Sequence, residues 1–169
     1  MSDTNYEEYV RARLTHLRRV ALALVGDPHR ADDLVQEAIT RLYVHWHRAT
    51  KAHNLDAYTR RILIRTFLDE RRSRWASVRL VAEPPEPTQA LGAHPADAMA
   101  VRAALAEVPP KQRAVLVLRF LADLPVEEVA DIVGCSTGTV KSQTFHGLAA
   151  MRRALGDPQP GHQAKKVQS

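Results

Sequence analysis

Thr137, Lys141, Ser142, Gln143 and Phe145, followed by Arg152 and Arg153, place short hydrogen-bonding groups and then cations along one stretch of helical spacing. Such a set suits a nucleic acid, because hydroxyl and amide groups near a helix N-terminus reach base edges while Lys and Arg neutralise phosphates. A second set, Arg61, Arg65 and Arg72, is separated by four and seven residues. On a helix these three lie within roughly 40° of one another, a strip able to follow a sugar-phosphate backbone, with Tyr58 and Thr66 adding hydrogen-bonding groups beside it. Covalent chemistry has no comparable support. There is no Walker loop, no metal-ligand cluster and no nucleophile with an evident base, so the chain is not expected to be an enzyme or to need a cofactor or metal. Cys135 is the only cysteine, which excludes an internal disulfide, and it falls in a turn needed for packing. His45, His47 and His53 lie close in sequence, but no cysteine or carboxylate completes a convincing metal set, and a solvated loop is the better reading.

The nucleic-acid set at the C-terminal end needs a scaffold, and residues 125–153, PVEEVADIVGCSTGTVKSQTFHGLAAMRR, read as a helix-turn-helix. Its first helix should bury Val126, Val129, Ala130 and Val133. Gly134 then allows the sharp turn, and Ser136 can cap the second helix. Val140, Thr144, Leu148, Met151 and Leu155 recur at three- and four-residue steps that return them to a core. Gly147 inside this helix costs about 1 kcal/mol against Ala and predicts a bend or fraying beyond it. The plainer alternative is a three-helix structural core with a solvated basic face.

Upstream, Thr4 and Glu7 form a capping-box pattern before a stripe of Val10, Leu14, Leu17, Ala21 and Leu24 that ends at Gly26. Asp27 and Pro28 restart a helix whose apolar side is Ala31, Leu34, Val35, Ala38, Ile39, Leu42 and Trp46. Its other side carries Asp33, Gln36, Glu37 and Thr40. After a polar loop, Asn54 can cap a third long helix, residues 55 to about 74, apolar around most of its circumference except for the arginine strip. Pro84, Pro85, Pro87, Pro95 and Gly92 favour an extended linker over residues 77–95. Fully stretched, about 19 residues reach roughly 60 Å. Helical spacing resumes with Ala98, Val101, Ala104, Leu105 and Val108, breaks at Pro109 and Pro110, and continues through Val115 to Leu121. The expected fold is therefore all-α: two small helical domains, residues 1–76 and 96–156, joined by a flexible linker, with the helix-turn-helix in the second and a disordered tail over residues 157–169.

The net charge of +5, from 24 Lys and Arg against 19 Asp and Glu, agrees with a polyanionic partner without compelling it. The acidic start MSDTNYEEYV lacks the basic and apolar regions of a secretory signal, and no apolar run approaches membrane-spanning length. A cytoplasmic location without membrane insertion is the expectation.

Three blocks, ADDLVQEAITRLYVHW (31–46), AYTRRILIRTFLDERRSRW (57–75) and residues 105–155, resemble in order and spacing the conserved domains of bacterial extracytoplasmic-function sigma factors, and most of all the SigE-like actinobacterial group of the sigma-70 family. The resemblance covers about residues 6–155 and implies a subunit that docks on core RNA polymerase, recognises a promoter and lets the holoenzyme open it. It implies polymerase contact through Asp33, Gln36, Glu37 and Thr40. It implies capture of the melted −10 element by the loop residues His47, Arg48, Lys51, His53 and Asn54, together with Tyr58, Arg61, Arg65 and Arg72. It implies reading of the duplex −35 element by Thr137, Lys141, Ser142, Gln143 and Phe145, with Arg152 and Arg153 on phosphates. Trp46, at the edge of the loop, is read as core rather than as a stacking platform. Many relatives are held inactive by an anti-sigma factor, which makes one a candidate partner here. The chain departs from the pattern where relatives often have Asn in place of Arg65 and Arg in place of Gln143 and His146, which puts the preferred promoter sequence in doubt. The competing hypothesis is a regulator that binds duplex DNA as a dimer without polymerase.

Overall fold

Gly26 adopts a left-handed conformation, φ 77°, and its N–H closes the end of the first helix on the carbonyl of Leu22 at 2.8 Å. Asp27 immediately starts the second, its Oδ1 accepting from the N–H of Arg30 at 3.0 Å, with Pro28 at the first helical position. These two residues fold α1 (Asp3–Val25) back against α2 (Pro28–Val44). The computed structural model describes residues 3–76 and 95–156, with side chains from 5–71 and 96–156. The expected linker up to residue 94, the tail from 157 and the side chain of Arg72 lie outside the described residues.

A single-turn α3 (Trp46–Ala49) interrupts the expected polar loop, so α2 ends two residues before Trp46 rather than running through it. Asn54 caps α4 (Leu55–Ala76), its Oδ1 accepting from the N–H of Ala57 at 2.9 Å. The second helical group comprises α5 (Pro95–Glu107), α6 (Pro110–Leu116) with a π-helical continuation Val117–Leu121, α7 (Val126–Val133) and α8 (Thr137–Ala154). Among the described residues there is no strand, and no helix is long and apolar enough to cross a membrane. At the first terminus α1 begins at Asp3, so Thr4 falls inside the first turn rather than before it.

The two helical groups share a wall. Leu17, Leu24, Ile64 and Phe67 from the first group belong to one buried cluster with Val115, Leu118, Val129 and Ile132 from the second. A smaller cluster, Leu105, Val108, Leu116 and Ala150, lies within the second group. The reason is visible in α4, whose apolar residues extend around most of its surface: α1 and α2 cover one side, and α6 and α7 cover another. Groups this small and this poor in aromatic residues gain buried area by sharing a boundary.

The helix-turn-helix forms as its spacing requires. Gly134 caps α7 in the left-handed region, φ 78°, and Ser136 Oγ accepts from the N–H of Thr139 at 3.1 Å. Val129, Ala130, Ile132 and Val140 are buried, whereas Leu155 is 46% exposed and leaves the expected core stripe. Gly147 corrects a second expectation. It is buried against α6, and a Cβ there would stand 3.0 Å from Leu116 Cγ and Cδ1, so its small size permits close helix packing; α8 continues unbroken to Ala154.

Because an L-residue in the left-handed region costs about 1–2 kcal/mol, Gly134→Ala should lower unfolding stability by about 1 kcal/mol. Urea denaturation should also rank Gly134→Asn between that variant and the wild-type chain.

Candidate nucleic-acid interface

Packing Ala31, Leu34, Val35, Ala38 and Leu42 inward leaves Asp33, Gln36, Glu37 and Thr40 exposed together on the outer side of α2. Glu37 is held by Arg41, whose Nε donates at 2.8 Å, and Arg41 reaches on to Asp69 of α4 at 3.5 Å. Thr40 donates its hydroxyl to the carbonyl of Gln36 at 2.8 Å. The face thus offers carboxylates and an amide to a partner on rigid backbone.

His47, Arg48, Lys51, His53 and Asn54 are all exposed between α2 and α4. Buried Ala49 anchors the short α3 beneath them. Asn54 is less free than the sequence suggested, since its carbonyl oxygen is committed to the α4 cap. Trp46 is half-buried and packs edge-on to Tyr6 at 5.4 Å and tilted to Tyr9 at 5.6 Å, so its ring supports the loop from below.

A network that spacing did not reveal fixes the same region. Tyr9 donates its hydroxyl to Asp56 Oδ1 at 2.7 Å, and Arg13 grips both oxygens of that carboxylate at 2.8 and 3.1 Å. Tyr9 and Arg13 are one helical turn apart on α1, and Asp56 lies in the first turn of α4. Burial pushes the Tyr9 hydroxyl up to about 12, its bond to Asp56 adding to the effect. Burial would also raise Asp56, but the hydrogen bonds and charges of Arg13, Tyr9 and Arg60 outweigh it and hold the carboxyl below its ordinary value of 3.8.

Along α4, Arg61 and Arg65 are exposed and Tyr58 is half-buried. Arg61 Nη2 donates to the carbonyl of Asp131 in α7, and the guanidinium of Arg65 lies close to Gly134. Thr66 leaves the set: it is fully buried and its hydroxyl donates to the carbonyl of Ile62 at 2.7 Å.

On α8, Thr137, Lys141, Ser142 and Phe145 share the exposed side, with Arg152 and Arg153 exposed in the last turn. Phe145 is 69% exposed, its ring edge-on to His146 at 5.5 Å. A large apolar ring held in water on a helix is suited to contact with a base or its methyl group. Gln143 does not join them. It turns into the cleft between α4 and α6 with Leu68, Arg71, Pro110 and Lys111, where its Oε1 is buried without a hydrogen-bond partner in the protein.

An exposed polar and basic face on the second helix of a helix-turn-helix, and an arginine-bearing helix next to a basic loop, give the chain the make-up of a two-part nucleic-acid-binding protein. Residues 9–77 match sigma-70 region 2 and residues 98–151 match sigma-70 region 4. The chain is 40% identical over 158 residues to the RNA polymerase sigma-E factor of Streptomyces coelicolor, covering 89% of this chain and 85% of that one. It is 31% identical to the extracytoplasmic-function RNA polymerase sigma factor SigE of Mycolicibacterium smegmatis, covering 98% of this chain and 65% of that one. The fold is similar to that of the sigma factor RpoE solved in complex with the anti-sigma factor NepR from Bartonella quintana, with TM-score 0.76, 24% identity, and coverage of 92% and 99% of the two chains. The chain belongs to the extracytoplasmic-function sigma factors of the sigma-70 family.

The lowered pKa of Asp56 has a defined sign. Its contribution to stability is present above the ordinary carboxylate value and is lost as pH falls through the lowered one. Thermal melts of Asp56→Asn should therefore be less stable than wild type at neutral pH and should fall less steeply below about pH 4.

Proposed function

We propose that this chain binds core RNA polymerase, directs it to specific promoters and assists their opening. The observation that carries the reading is the presence, in one chain and in order, of an exposed acidic face on α2, a basic loop and arginine strip leading into α4, and an exposed reading face on α8. Asp33, Gln36, Glu37 and Thr40 would meet the polymerase. His47, Arg48, Lys51, His53, Tyr58, Arg61, Arg65 and Arg72 would hold the melted −10 strand, with Asn54 mainly shaping the loop. Extruding a base costs a few kcal/mol, which donors and cations at a fixed pocket can offset. Thr137, Lys141, Ser142 and Phe145 would read the duplex −35 element while Arg152 and Arg153 meet phosphates.

In this reading residues 1–76 and 96–156 are the working units and residues 77–95 tether them, so the second DNA contact is made at raised effective concentration once polymerase fixes the geometry. The protein acts in the cytoplasm and catalyses nothing itself. The family adds an anti-sigma factor to the partners to be sought.

Purified chain added to core polymerase should produce transcripts starting at a defined promoter, where core alone produces none. Glu37→Lys reverses an exposed charge without touching the core, and should weaken polymerase binding at least about tenfold, roughly 1.4 kcal/mol, in a competition assay while leaving the melting temperature within a few degrees. Transcription no better than with core alone would end the reading. Arg153→Ala, at an exposed position in the last turn of α8, should reduce holoenzyme binding to duplex promoter and flatten its salt dependence by about one unit of slope, as loss of a phosphate contact requires.

A further inference from the structure

Gly138 is the second residue of α8 and is exposed. Among the described glycines it is the one for which the chain itself gives no reason. Gly26, Gly134 and Gly156 take the left-handed conformation, and Gly147 is pressed against Leu116. Gly138 has ordinary helical backbone, and a Cβ there would meet only Ser136 Oγ, at 3.8 Å, a normal van der Waals distance. The turn into α8 does not need it either. Ser136 already caps the helix, and the N–H of Val140 closes the first turn on the carbonyl of Ser136 at 3.0 Å. Alanine would fit here and hold the first turn better, because glycine loses more backbone freedom on folding than any other residue. Nothing within the described chain offsets that loss.

Its place on the helix supplies a reason from outside the chain. Val140, Gly147 and Ala150 of α8 face the core. At about 100° per residue, Gly138, Ser142 and Phe145 share a strip roughly 60° wide along the middle of the opposite side. Lys141 and Arg152 flank that strip on one side and Arg153 on the other, each about 40–60° from Gly138. All of these residues are exposed. A helix laid in a major groove about 12 Å wide meets the two phosphate backbones with its flanks and the base edges with its middle. We propose that Gly138 sets how deeply α8 seats in the groove: with no Cβ, the first turn lies against the base edges, and this brings Phe145, about two turns on, within reach of them. The proposal rests on the reading of α8 given above. Gly138 is a positioning residue, which identifies no base itself; discrimination passes through Ser142 and Phe145. A methyl group added at Gly138 would hold the backbone about 1.5 Å further from the groove floor and lift the side chains that follow it.

The full-length wild-type chain is first used to select its preferred duplex from a random-sequence pool. That duplex is then labelled and titrated with each variant at low salt by fluorescence anisotropy. Gly138→Ala should weaken binding about tenfold, the order of one lost base contact, and Gly138→Val should weaken it further. Neither change should lower the melting temperature, and alanine should raise it by about 1–3 °C. Selection repeated with Gly138→Ala should give a flatter base preference, which a merely structural role would not produce at undiminished stability. Gly138→Ala binding as tightly and selectively as wild type would overturn the proposal. So would a loss that tracks a fall in melting temperature, or a wild-type chain that selects no sequence. Selection and graded loss without initiation in the presence of core polymerase would remove the promoter reading and leave the seating role standing; initiation with unaltered Gly138→Ala binding would do the reverse.

Discussion

Arg113 is 2% exposed and its guanidinium is held by backbone carbonyls, and much of the architecture follows from how that charge is accommodated. Nη1 donates to the carbonyl of Leu24 at the end of α1, at 2.7 Å. Nη2 donates to the carbonyls of Val108 and Ala106, where α5 ends, at 2.8 and 3.0 Å. The planar group also lies 5.8 Å from the centre of the Phe67 ring in α4. Burial pushes its pKa down to about 10, helped by repulsion from Arg71 and Arg30, so it remains charged near neutrality. A buried cation with these partners ties the terminus of a helix in the first group to one in the second.

The same physics recurs at a second contact between helices. Arg113 answers the carbonyl ends of α1 and α5, and Arg61 answers the carbonyl end of α7. In both places an arginine from one helix supplies donors to the negative end of another, across a boundary that the chain must cross to assemble. Guanidinium suits the task because its fork serves more than one acceptor and is more weakly hydrated than an ammonium group. It also explains how a chain rich in cations can fold around them before it meets nucleic acid.

The proposed functional surfaces depend on this scaffold to different degrees. The face of α2 and the outer side of α8 need only their own helices and the cores beneath them, and they stand exposed. The loop around α3 needs more: Trp46 on Tyr6 and Tyr9, and Asp56 between Tyr9 and Arg13, hold the start of α4 in place. The arginine strip depends most on tertiary context, because the neighbour that shapes it, α7, belongs to the other half of the chain.

Local signals were legible because each acts over a few residues. Asp27, Asn54 and Ser136 cap the helices expected of them, and Gly26 and Gly134 take the left-handed conformation at helix ends, since a side-chain oxygen three residues from an N–H or a missing Cβ needs no distant partner. The helical class, the helix-turn-helix and the exposed sets on α2 and α8 follow from periodicity in the same way. Tertiary structure decided the rest. It sent Gln143 into a cleft and Thr66 into the core, made Gly147 a point of close packing, joined Asp56 to Tyr9 across 47 positions, and set Arg61 on Asp131 across 70. Helical period gives the angle at which a side chain leaves its own axis, but which neighbouring helix, solvent or partner occupies that angle depends on how the separate apolar stripes cover one another, and that is a property of the assembled chain.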